Sequence, residues 1–337
     1  MKALVTGANG FLGRRIVRRL LAEGVAVRAF VRPGHGGLDG ATECFEGDLG
    51  DDAAVTAAVT GVDWVVHAAA RVDTKGTWEA FAEANIRGTR RIIRAAHSAG
   101  VRRFVHISSL GVYAVPHGGV TITEDSPYES ESSTRGHYSR SKLAADRLAL
   151  REAERGAPVV VLRPGLLYGP GKRPPLARQS FTVAGVRLLL ASPAYTLPMT
   201  YVDNVADAVL LALTCPDAVG HAFTVVDENV RQREYVATYR RISGERWRSL
   251  FLPVGLVALA ALVLERSMRL ARRRSPVTYY QVRRATDSAW YDCSRAQRVL
   301  GWTPAVSLPE GLRQSFESLQ EPPSGTPPAA LAASPAV

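Results

Sequence analysis

The sequence predicts an α/β fold: a parallel, doubly wound sheet covered by helices on both faces. Two observations support this. Short apolar segments alternate with helical patterns through the first half of the chain, and a glycine-rich turn follows the first apolar segment. The segments are almost continuously hydrophobic, which is typical of strands buried on both faces. The 337-residue chain is long enough to bury such a core.

The first half contains six predicted strands with four helices between them. The strands are expected at 3–6, 25–31, 42–48, 63–70, 102–109 and 158–164. The helices are expected at 11–24, 51–61, 77–100 and 138–155. The first helix ends at a glycine, and the second has acidic residues in its first turn, where they complement the helix dipole.

The alternation stops after Pro164. A loop is expected at 165–175, no clear element at 176–198, a helix at 199–214 and a strand at 221–227. We therefore divide the chain into a nucleotide-binding domain and a smaller, mostly helical substrate-binding region. The first spans 1–170, with a contribution from 199–227, and the second spans 171–198 and 228–320. The Pro/Ala/Ser-rich tail, 321–337, is expected to be disordered.

Composition and charge narrow the function classes. The net charge is +11, but many arginines recur at helical spacing, as expected of solvated helix faces, and no basic–aromatic pattern accompanies them. We therefore expect no nucleic-acid partner. Cys44, Cys215 and Cys293 are too far apart in sequence for a metal motif or a disulfide framework. No metal is expected. The absence of a signal-peptide pattern and the cysteine spacing favour a cytoplasmic location.

The glycine-rich turn predicts a dinucleotide site. TGANGFLG (6–13) directly follows the first strand and opens the first helix, a setting in which backbone can approach a pyrophosphate and helix N–H groups can bind it. This pattern is typical of a Rossmann-type domain. The residues expected to contact the cofactor here are Gly7, Asn9, Gly10, Phe11, Leu12 and Gly13.

The end of the second strand bears on the choice of cofactor. NAD-binding sheets usually carry an acidic residue there, whereas this chain has Phe30-Val31-Arg32. A guanidinium can bind a 2′-phosphate that a carboxylate would repel. The sequence therefore favours NADP(H), and NAD(H) remains an alternative.

Tyr138 and Lys142 lie four residues apart in a predicted helix and therefore share a face. An ammonium near a phenol favours the phenolate and lowers its pKa, so that the tyrosine can act as a general acid or base. Lysine is rare in this arginine-rich chain, and its slim head can also reach ribose hydroxyls. The pair predicts proton transfer beside a nicotinamide nucleotide.

Several segments in the same order resemble the extended short-chain dehydrogenase/reductase superfamily, which includes the epimerases and dehydratases. The resemblance covers roughly residues 2–320. The matching segments are TGANGFLG, GDL (47–49), HAAA (67–70), ANIRGT (84–89), HISSLGVYA (106–114), YSRSK (138–142), LRPGLLYGPG (162–171) and YVDNVADA (201–208).

The resemblance implies individual roles. Tyr138 matches the catalytic acid/base, Lys142 its partner, and Ser109 the serine that hydrogen-bonds the substrate oxygen. Asn85 matches the asparagine that helps hold a proton-relay water. The remaining cofactor contacts that the resemblance implies are Asp48, Leu49, Ala68, Ala69, Ala70, Ser108 and Pro164. It also implies a homodimer formed through 77–99 and 138–155.

Two features guide the choice of substrate. Leu166 occupies a position where sugar-nucleotide enzymes usually carry a diphosphate-binding asparagine, and an apolar residue there suits an apolar ligand. Arg163, Lys172 or Arg173 could compensate. Residues 251–275 join a 14-residue apolar run to a cationic segment. The run is too short to span a membrane, and predicts either a buried helix or one that contacts the inner membrane face.

These features favour an oxidoreductase that interconverts a hydrophobic secondary alcohol and its ketone. In these features the sequence resembles the 3β-hydroxysteroid dehydrogenase-like and 2-alkyl-3-oxoalkanoate reductase-like members of the superfamily. A sugar-nucleotide epimerase, dehydratase or reductase is the first alternative. A non-catalytic dinucleotide-binding protein is the second alternative. Non-catalytic members of the superfamily typically lose the tyrosine or the lysine, whereas this chain keeps both Tyr138 and Lys142.

Overall fold

The computed structural model describes most of the chain. The described residues are 1–34, 38, 40–72, 76–115, 119–130, 136–176, 180–183, 186–189, 195–271, 273, 275, 279, 282 and 288–320. The tail predicted to be disordered lies outside them.

A seven-stranded parallel sheet forms the centre of the molecule, as predicted. Its order is β12-β7-β5-β4-β1-β2-β3. The strands are β1 (Lys2–Thr6), β2 (Ala26–Val31), β3 (Glu43–Glu46), β4 (Trp64–His67), β5 (Arg103–Ile107), β7 (Val159–Pro164) and β12 (Ala222–Val225). Chain order reverses between β1 and β4, which pair in register from Ala3 opposite Trp64. This reversal is where open parallel sheets bind ligands.

Helices cover both faces of the sheet. One face packs α1 (Phe11–Ala22) and α6 (Val202–Thr214), and the other packs α2 (Asp52–Val59), α4 (Gly88–Ser98) and α5 (His137–Glu154). Strand residues alternate between the two apolar clusters, as when Val65 faces α2 and Val66 faces α1. Both faces of the sheet are buried, which explains why the sequences of these strands are almost continuously apolar.

The predicted helix over 77–100 is interrupted. Its first turn is α3 (Trp78–Phe81), which is followed by a π-helical segment (Ala82–Arg87) and then by α4. Such wide turns are rare and often occur at functional sites, because they leave backbone groups outside the regular hydrogen-bond ladder.

The described residues form three small sheets, built mainly from the second half of the chain, that were not predicted from the sequence. One pairs β8 (Leu166–Tyr168), β11 (Thr196–Tyr201) and β13 (Glu228–Arg231), a second pairs β9 (Ser180–Val183), β10 (Val186–Leu189) and β14 (Arg248–Phe251), and a third pairs β6 (Val120–Ile122) and β15 (Ala289–Tyr291). The loop predicted at 165–175 therefore contains a strand. The helix predicted from 199 starts at 202, because Met199–Tyr201 belongs to β11.

Three helices accompany these strands: α7 (Gln232–Ser243), α8 (Val254–Leu270) and α9 (Leu308–Gln320). A cluster of aromatic and aliphatic side chains joins α7 and α9 to β8 and β11, including Tyr168, Leu197 and Leu312. The region that follows the central sheet therefore has an apolar core of its own.

Candidate functional site

The glycine loop packs tightly against the loop after β4. Gly7 has φ +66°, and a Cβ there would lie 2.8 Å from the backbone of Ala69. A Cβ on Gly13 would lie 2.0 Å from the Gly7 carbonyl oxygen. Side chains at either position would separate β1, α1 and the β4 loop. Gly10 is the N-cap of α1, so the first N–H groups of the helix face the end of the sheet without a capping side chain.

A directed chain of hydrogen bonds fixes the floor of this crevice. Thr89 Oγ1 donates to the Asn85 carbonyl, so it must accept from His67 Nε2–H at 2.9 Å. His67 Nδ1 therefore accepts from Thr6 Oγ1 at 2.8 Å, and Thr6 Oγ1 accepts from Ala69 N–H at 3.2 Å. Burial lowers the pKa of His67 to about 3, which keeps the imidazole neutral. This series of hydrogen bonds connects the end of β1 to the π-helical segment.

Residues expected at the adenosine end lie at the ends of β2, β3 and β4. Asp48 is exposed and its Oδ1 accepts from Gly50 N at 2.7 Å, while Leu49 packs against Gly88. Arg32 is exposed, and among the described residues its guanidinium has no ion-pair partner. Arg14 and Arg15 on α1 donate to the carbonyls of Asn9 and Pro170.

Tyr138 and Lys142 lie on the first turns of α5, as predicted. Lys142 is 5% exposed, and its ammonium donates to the carbonyl of Ile107, at the end of β5, at 2.6 Å. Burial lowers the pKa of Lys142 to about 8, and the nearby Asp146 carboxylate opposes this shift. The lysine therefore stands at the carboxyl end of the central strands.

The pKa of Tyr138 differs from expectation. Burial raises it above its usual value of 10, and no neighbouring charge offsets the effect. The expectation that Lys142 lowers this pKa is therefore wrong, because Lys142 directs its ammonium to the Ile107 carbonyl. The phenol is protonated at neutral pH.

The two serines after β5 have different environments. Ser109 is half-buried, and its Oγ caps a short 3-10 turn by accepting from Gly111 N at 3.1 Å, which leaves its proton for another acceptor. Ser108 is buried, and its hydroxyl donates to Asp146 Oδ2. The Ser108 side chain is thus committed to a protein partner, so a contact with nicotinamide would have to come from its backbone.

Asn85 lies in the π-helical segment and braces the site. Its Oδ1 accepts from Arg71 N at 2.7 Å, and its Nδ2 donates to the Arg71 carbonyl at 3.0 Å and to Ser141 Oγ at 2.9 Å. Ser141 donates in turn to the Tyr138 carbonyl at 2.8 Å. Both amide protons of Asn85 are used, so the side chain connects the loop after β4 to the start of α5.

A buried ion pair supports the same helix from behind. Arg163 on β7 binds Asp146 on α5 in bidentate fashion, with Nη2–Oδ1 2.7 Å and Nε–Oδ2 3.0 Å. The tyrosines Tyr113 and Tyr128 also accept from this guanidinium, at 2.7 and 2.6 Å. Asp146 is one helical turn after Lys142. Arg163 therefore does not compensate for Leu166 as a phosphate ligand, because its guanidinium is buried among these partners.

The strand end after β7 is apolar. Pro164 is buried, and Leu166 packs on the cluster that contains Tyr168 and Met199. Of the two cations that could have compensated for Leu166, Lys172 lies over the Phe11 ring and Arg173 pairs with Glu245.

These features test whether a dinucleotide fits. Gly7 and Gly13 let the glycine loop, α1 and the backbone of Ala68 and Ala69 pack closely without intervening side chains, and α1 begins there with N–H groups that no side chain caps. The residues present fit a nicotinamide dinucleotide. Sequence reasoning did not identify the roles of Thr6, Thr89 and Asp146, and suggested a different role for Arg163, because their partners are distant in sequence. Only the position of Asp146, four residues after Lys142, offered a signal.

The described residues hold no group of three or more His, Cys, Asp or Glu side chains that could bind a metal ion. In the same residues, no helix has the length and apolar character needed to cross a bilayer.

Comparisons with known proteins agree with this geometry. The profile of the NAD dependent epimerase/dehydratase family matches residues 3–226. The chain is 31% identical over 326 residues to a 2-alkyl-3-oxoalkanoate reductase from Stenotrophomonas maltophilia, covering 93% of this chain and 98% of the relative. It is 32% identical over 320 residues to sterol demethylase protein B from Methylococcus capsulatus, covering 90% and 94%.

Solved structures show the same fold. The structure of gox2253 superimposes with a TM-score of 0.81 at 26% identity, covering 94% of this chain and 97% of that one. MoeE5 in complex with UDP-glucuronic acid and NAD gives 0.71 at 27% identity, covering 95% and 99%. With its Rossmann sheet and the match over two thirds of its length, the chain belongs to the NAD-dependent epimerase/dehydratase family and is a nicotinamide-dependent oxidoreductase of the extended short-chain type.

Proposed function

We propose that this protein interconverts a hydrophobic secondary alcohol and its ketone, with Tyr138 as the proton-transfer residue and NADP(H) as the preferred cofactor. The observation that carries the proposal is the position of Tyr138 and Lys142 on one face of α5, beside the carboxyl ends of the central strands.

The cofactor preference rests on Arg32. Its exposed guanidinium has no ion-pair partner in the described part of the chain and follows directly after β2, where a 2′-phosphate would lie. We expect Arg32→Asp to weaken NADPH binding strongly and to improve NADH binding. Arg18→Asp, the same charge change at an exposed position on α1, serves as the control. Tighter binding of NADH than NADPH by the unaltered protein would refute the preference.

The residues divide the chemistry among themselves. When bound, the cofactor supplies or accepts the hydride. Tyr138, protonated at neutral pH because burial raises its pKa, donates to the oxygen of a ketone, and Ser109 has a hydroxyl proton with which to hold that oxygen. Lys142 presents further N–H groups beyond the one bound to Ile107, and these can hold ribose hydroxyls.

The preference for an apolar substrate rests on the strand end after β7. Leu166 offers no donor to a diphosphate, and Arg163 cannot move to replace one because it is buried in its ion pair. The relatives named for an oxoalkanoate and for a sterol fit the same preference.

Removal of the Tyr138 hydroxyl tests the proposal that this residue transfers the proton. Tyr138→Phe should lower kcat for ketone reduction by at least about a hundredfold, the range typical of a lost general acid, with NADPH affinity nearly unchanged. Tyr279→Phe removes the same atom from an exposed tyrosine and should have no effect. Substantial activity in Tyr138→Phe would refute the assignment.

A sugar-nucleotide substrate is the alternative, favoured by the likeness to MoeE5 with UDP-glucuronic acid. A thermal-shift screen with NADP(H) present separates the two, because a selective ligand raises the apparent stability. Steroids and long-chain β-keto acids should raise the Tm. Stabilisation by UDP- or dTDP-sugars instead would favour the alternative. Firm NADPH binding without turnover of any member of the panel would favour a non-catalytic binding protein.

A further inference from the structure

Exposed apolar side chains are concentrated on one helix. Among the described residues, eleven large hydrophobic side chains are exposed, and seven of them lie between Leu250 and Tyr279. Five of the seven belong to α8: Leu256, Leu259, Val263, Leu264 and Leu270. Single exposed apolar residues are ordinary, but a contiguous group marks an interaction surface.

The helix has two distinct faces. Ala258 and Ala261 pack with Val282 in a small buried cluster, so this side of α8 is covered by the segment that follows it. Leu256, Leu259, Val263 and Leu270 follow one another at spacings of three, four and seven residues and form a stripe on the opposite face. At 1.5 Å per residue the stripe is about 21 Å long. We call it the α8 stripe.

Charges flank the α8 stripe and have one sign. Arg266, Arg269 and Arg273 are exposed at the C-terminal end of the helix. The single acidic residue in the sequence from 251 to 282 is Glu265. Glu265 accepts from Tyr279 N at 3.1 Å and pairs with Arg269 at 3.5 Å, so in the described part of this segment the exposed arginines outnumber the acidic group. The surface therefore combines an apolar stripe with a cationic end.

We propose that the α8 stripe lies in the surface of an anionic lipid bilayer, with the arginines against the lipid phosphates. Apolar side chains on one face and basic residues at its margin are the two requirements of an interfacial helix. A second copy of the chain could cover the leucines, but its own 251–282 segment would supply no free carboxylate for the arginines. Lipid phosphates supply both the charge and the apolar layer.

Vesicle sedimentation tests the proposal with the full chain and no substrate, so its outcome is independent of the proposed reaction. The protein should sediment with vesicles of phosphatidylcholine and phosphatidylglycerol (about 7:3) and much less with phosphatidylcholine alone. Adding salt to about 0.5 M should weaken binding, because the Debye length shortens. No binding to the anionic vesicles would overturn the proposal.

Two variants separate the apolar and charged parts. Leu259→Gln/Val263→Gln should lower the partition coefficient at least about tenfold, since two apolar side chains would no longer enter the bilayer. Arg266→Gln/Arg269→Gln should lower it about thirtyfold. The matched controls are Leu319→Gln, exposed on α9, and Arg90→Gln/Arg151→Gln, exposed on α4 and α5. Circular dichroism establishes that each variant is folded.

The competing occupant gives a distinct result. If a second copy covers the α8 stripe, Leu259→Gln/Val263→Gln will convert a dimer into a monomer on size-exclusion chromatography, with no vesicle binding by the unaltered protein. That pair of results, or vesicle binding that neither double variant changes, would overturn the proposal.

Discussion

At the scale of single residues, burial shifts the pKa values of the proposed catalytic residues Tyr138 and Lys142 in opposite directions. Burial raises the pKa of Tyr138 and lowers that of Lys142 to about 8. As the pH rises, the Lys142 ammonium therefore loses its proton before the Tyr138 phenol does.

This order predicts the pH profile of ketone reduction. The rate should stay constant below about pH 7 and fall as Lys142 loses its charge near pH 8. Lys142→Arg, in which the charge persists above about pH 12, should lack this limb whatever its absolute rate. Steady-state rates between pH 6 and 10 provide the measurement. A limb near pH 8 that survives in Lys142→Arg would show that another group titrates there.

Two stacked histidines offer a matched test of the hydrogen-bond chain. His67 and His106 lie 5.5 Å apart between ring centroids, both buried. His67 has partners at both nitrogens, whereas neither nitrogen of His106 has one among the described residues.

We expect the two substitutions by leucine to differ in stability. His67→Leu leaves Thr6 and Thr89 without their buried partner and should cost about 1–3 kcal/mol of unfolding free energy. His106→Leu removes an unpaired polar group and should change stability by less than about 1 kcal/mol. Urea unfolding with cofactor absent measures both. Equal losses would contradict the assignment of hydrogen-bond partners to His67 and not to His106.

At the scale of elements, α5 is held in place from two sides. Asn85 connects its first turn to the loop after β4, and the Asp146–Arg163 pair connects its middle to β7. Because α5 is one continuous helix, holding it at these two places also fixes the positions of Tyr138 and Lys142. Neither attachment contacts the reacting atoms.

Substitutions of Asp146 and Arg163 should have strongly non-additive effects on the free energy of unfolding. Asp146→Leu or Arg163→Met alone leaves an uncompensated buried charge and should cost about 3–5 kcal/mol. The double variant should cost much less than the sum of the two, because it removes both charges. The exposed α9 pair Arg313–Glu317 is the control, where each single change should cost under about 1 kcal/mol. Additive losses at Asp146 and Arg163 would contradict the pairing.

At the scale of the whole molecule, one carboxylate couples stability to pH. Asp227, after β12, accepts from Tyr201 N and from Asn204 Nδ2, yet burial raises its pKa from 3.8 to about 7. Between those values the folded protein holds a proton that the unfolded chain has released. The contribution of Asp227 to stability is therefore present at low pH and is lost as the pH rises to about 7.

Asp227→Asn should remove that pH dependence. The amide oxygen can still accept from Tyr201 N, and no buried charge forms, so the variant should gain about 2 °C or more in Tm over the unaltered protein at pH 8 but not at pH 4. Thermal unfolding at both values measures this. Asp217→Asn, at an exposed position, should show no such difference. An equal shift at both pH values would contradict the raised pKa.

Local patterns were sufficient for much of the fold and part of the site. The glycine loop, the buried strands and the i, i+4 spacing of Tyr138 and Lys142 depend on a few consecutive residues, and each predicted its element correctly. The short strands β8 and β11 were missed because three to six residues carry little periodicity, and their pairing joins segments about thirty residues apart.

The sequence by itself determined the parallel α/β sheet, the glycine-rich loop after β1 and the shared helix face of Tyr138 and Lys142, because backbone sterics and side-chain periodicity act over one or two turns. Only the tertiary structure decided which groups meet across the sheet. It directed Ser108 to Asp146, buried Arg163 and exposed the leucines of α8. The direction of the pKa shift of Tyr138 also depends on three-dimensional burial, which sequence spacing does not specify.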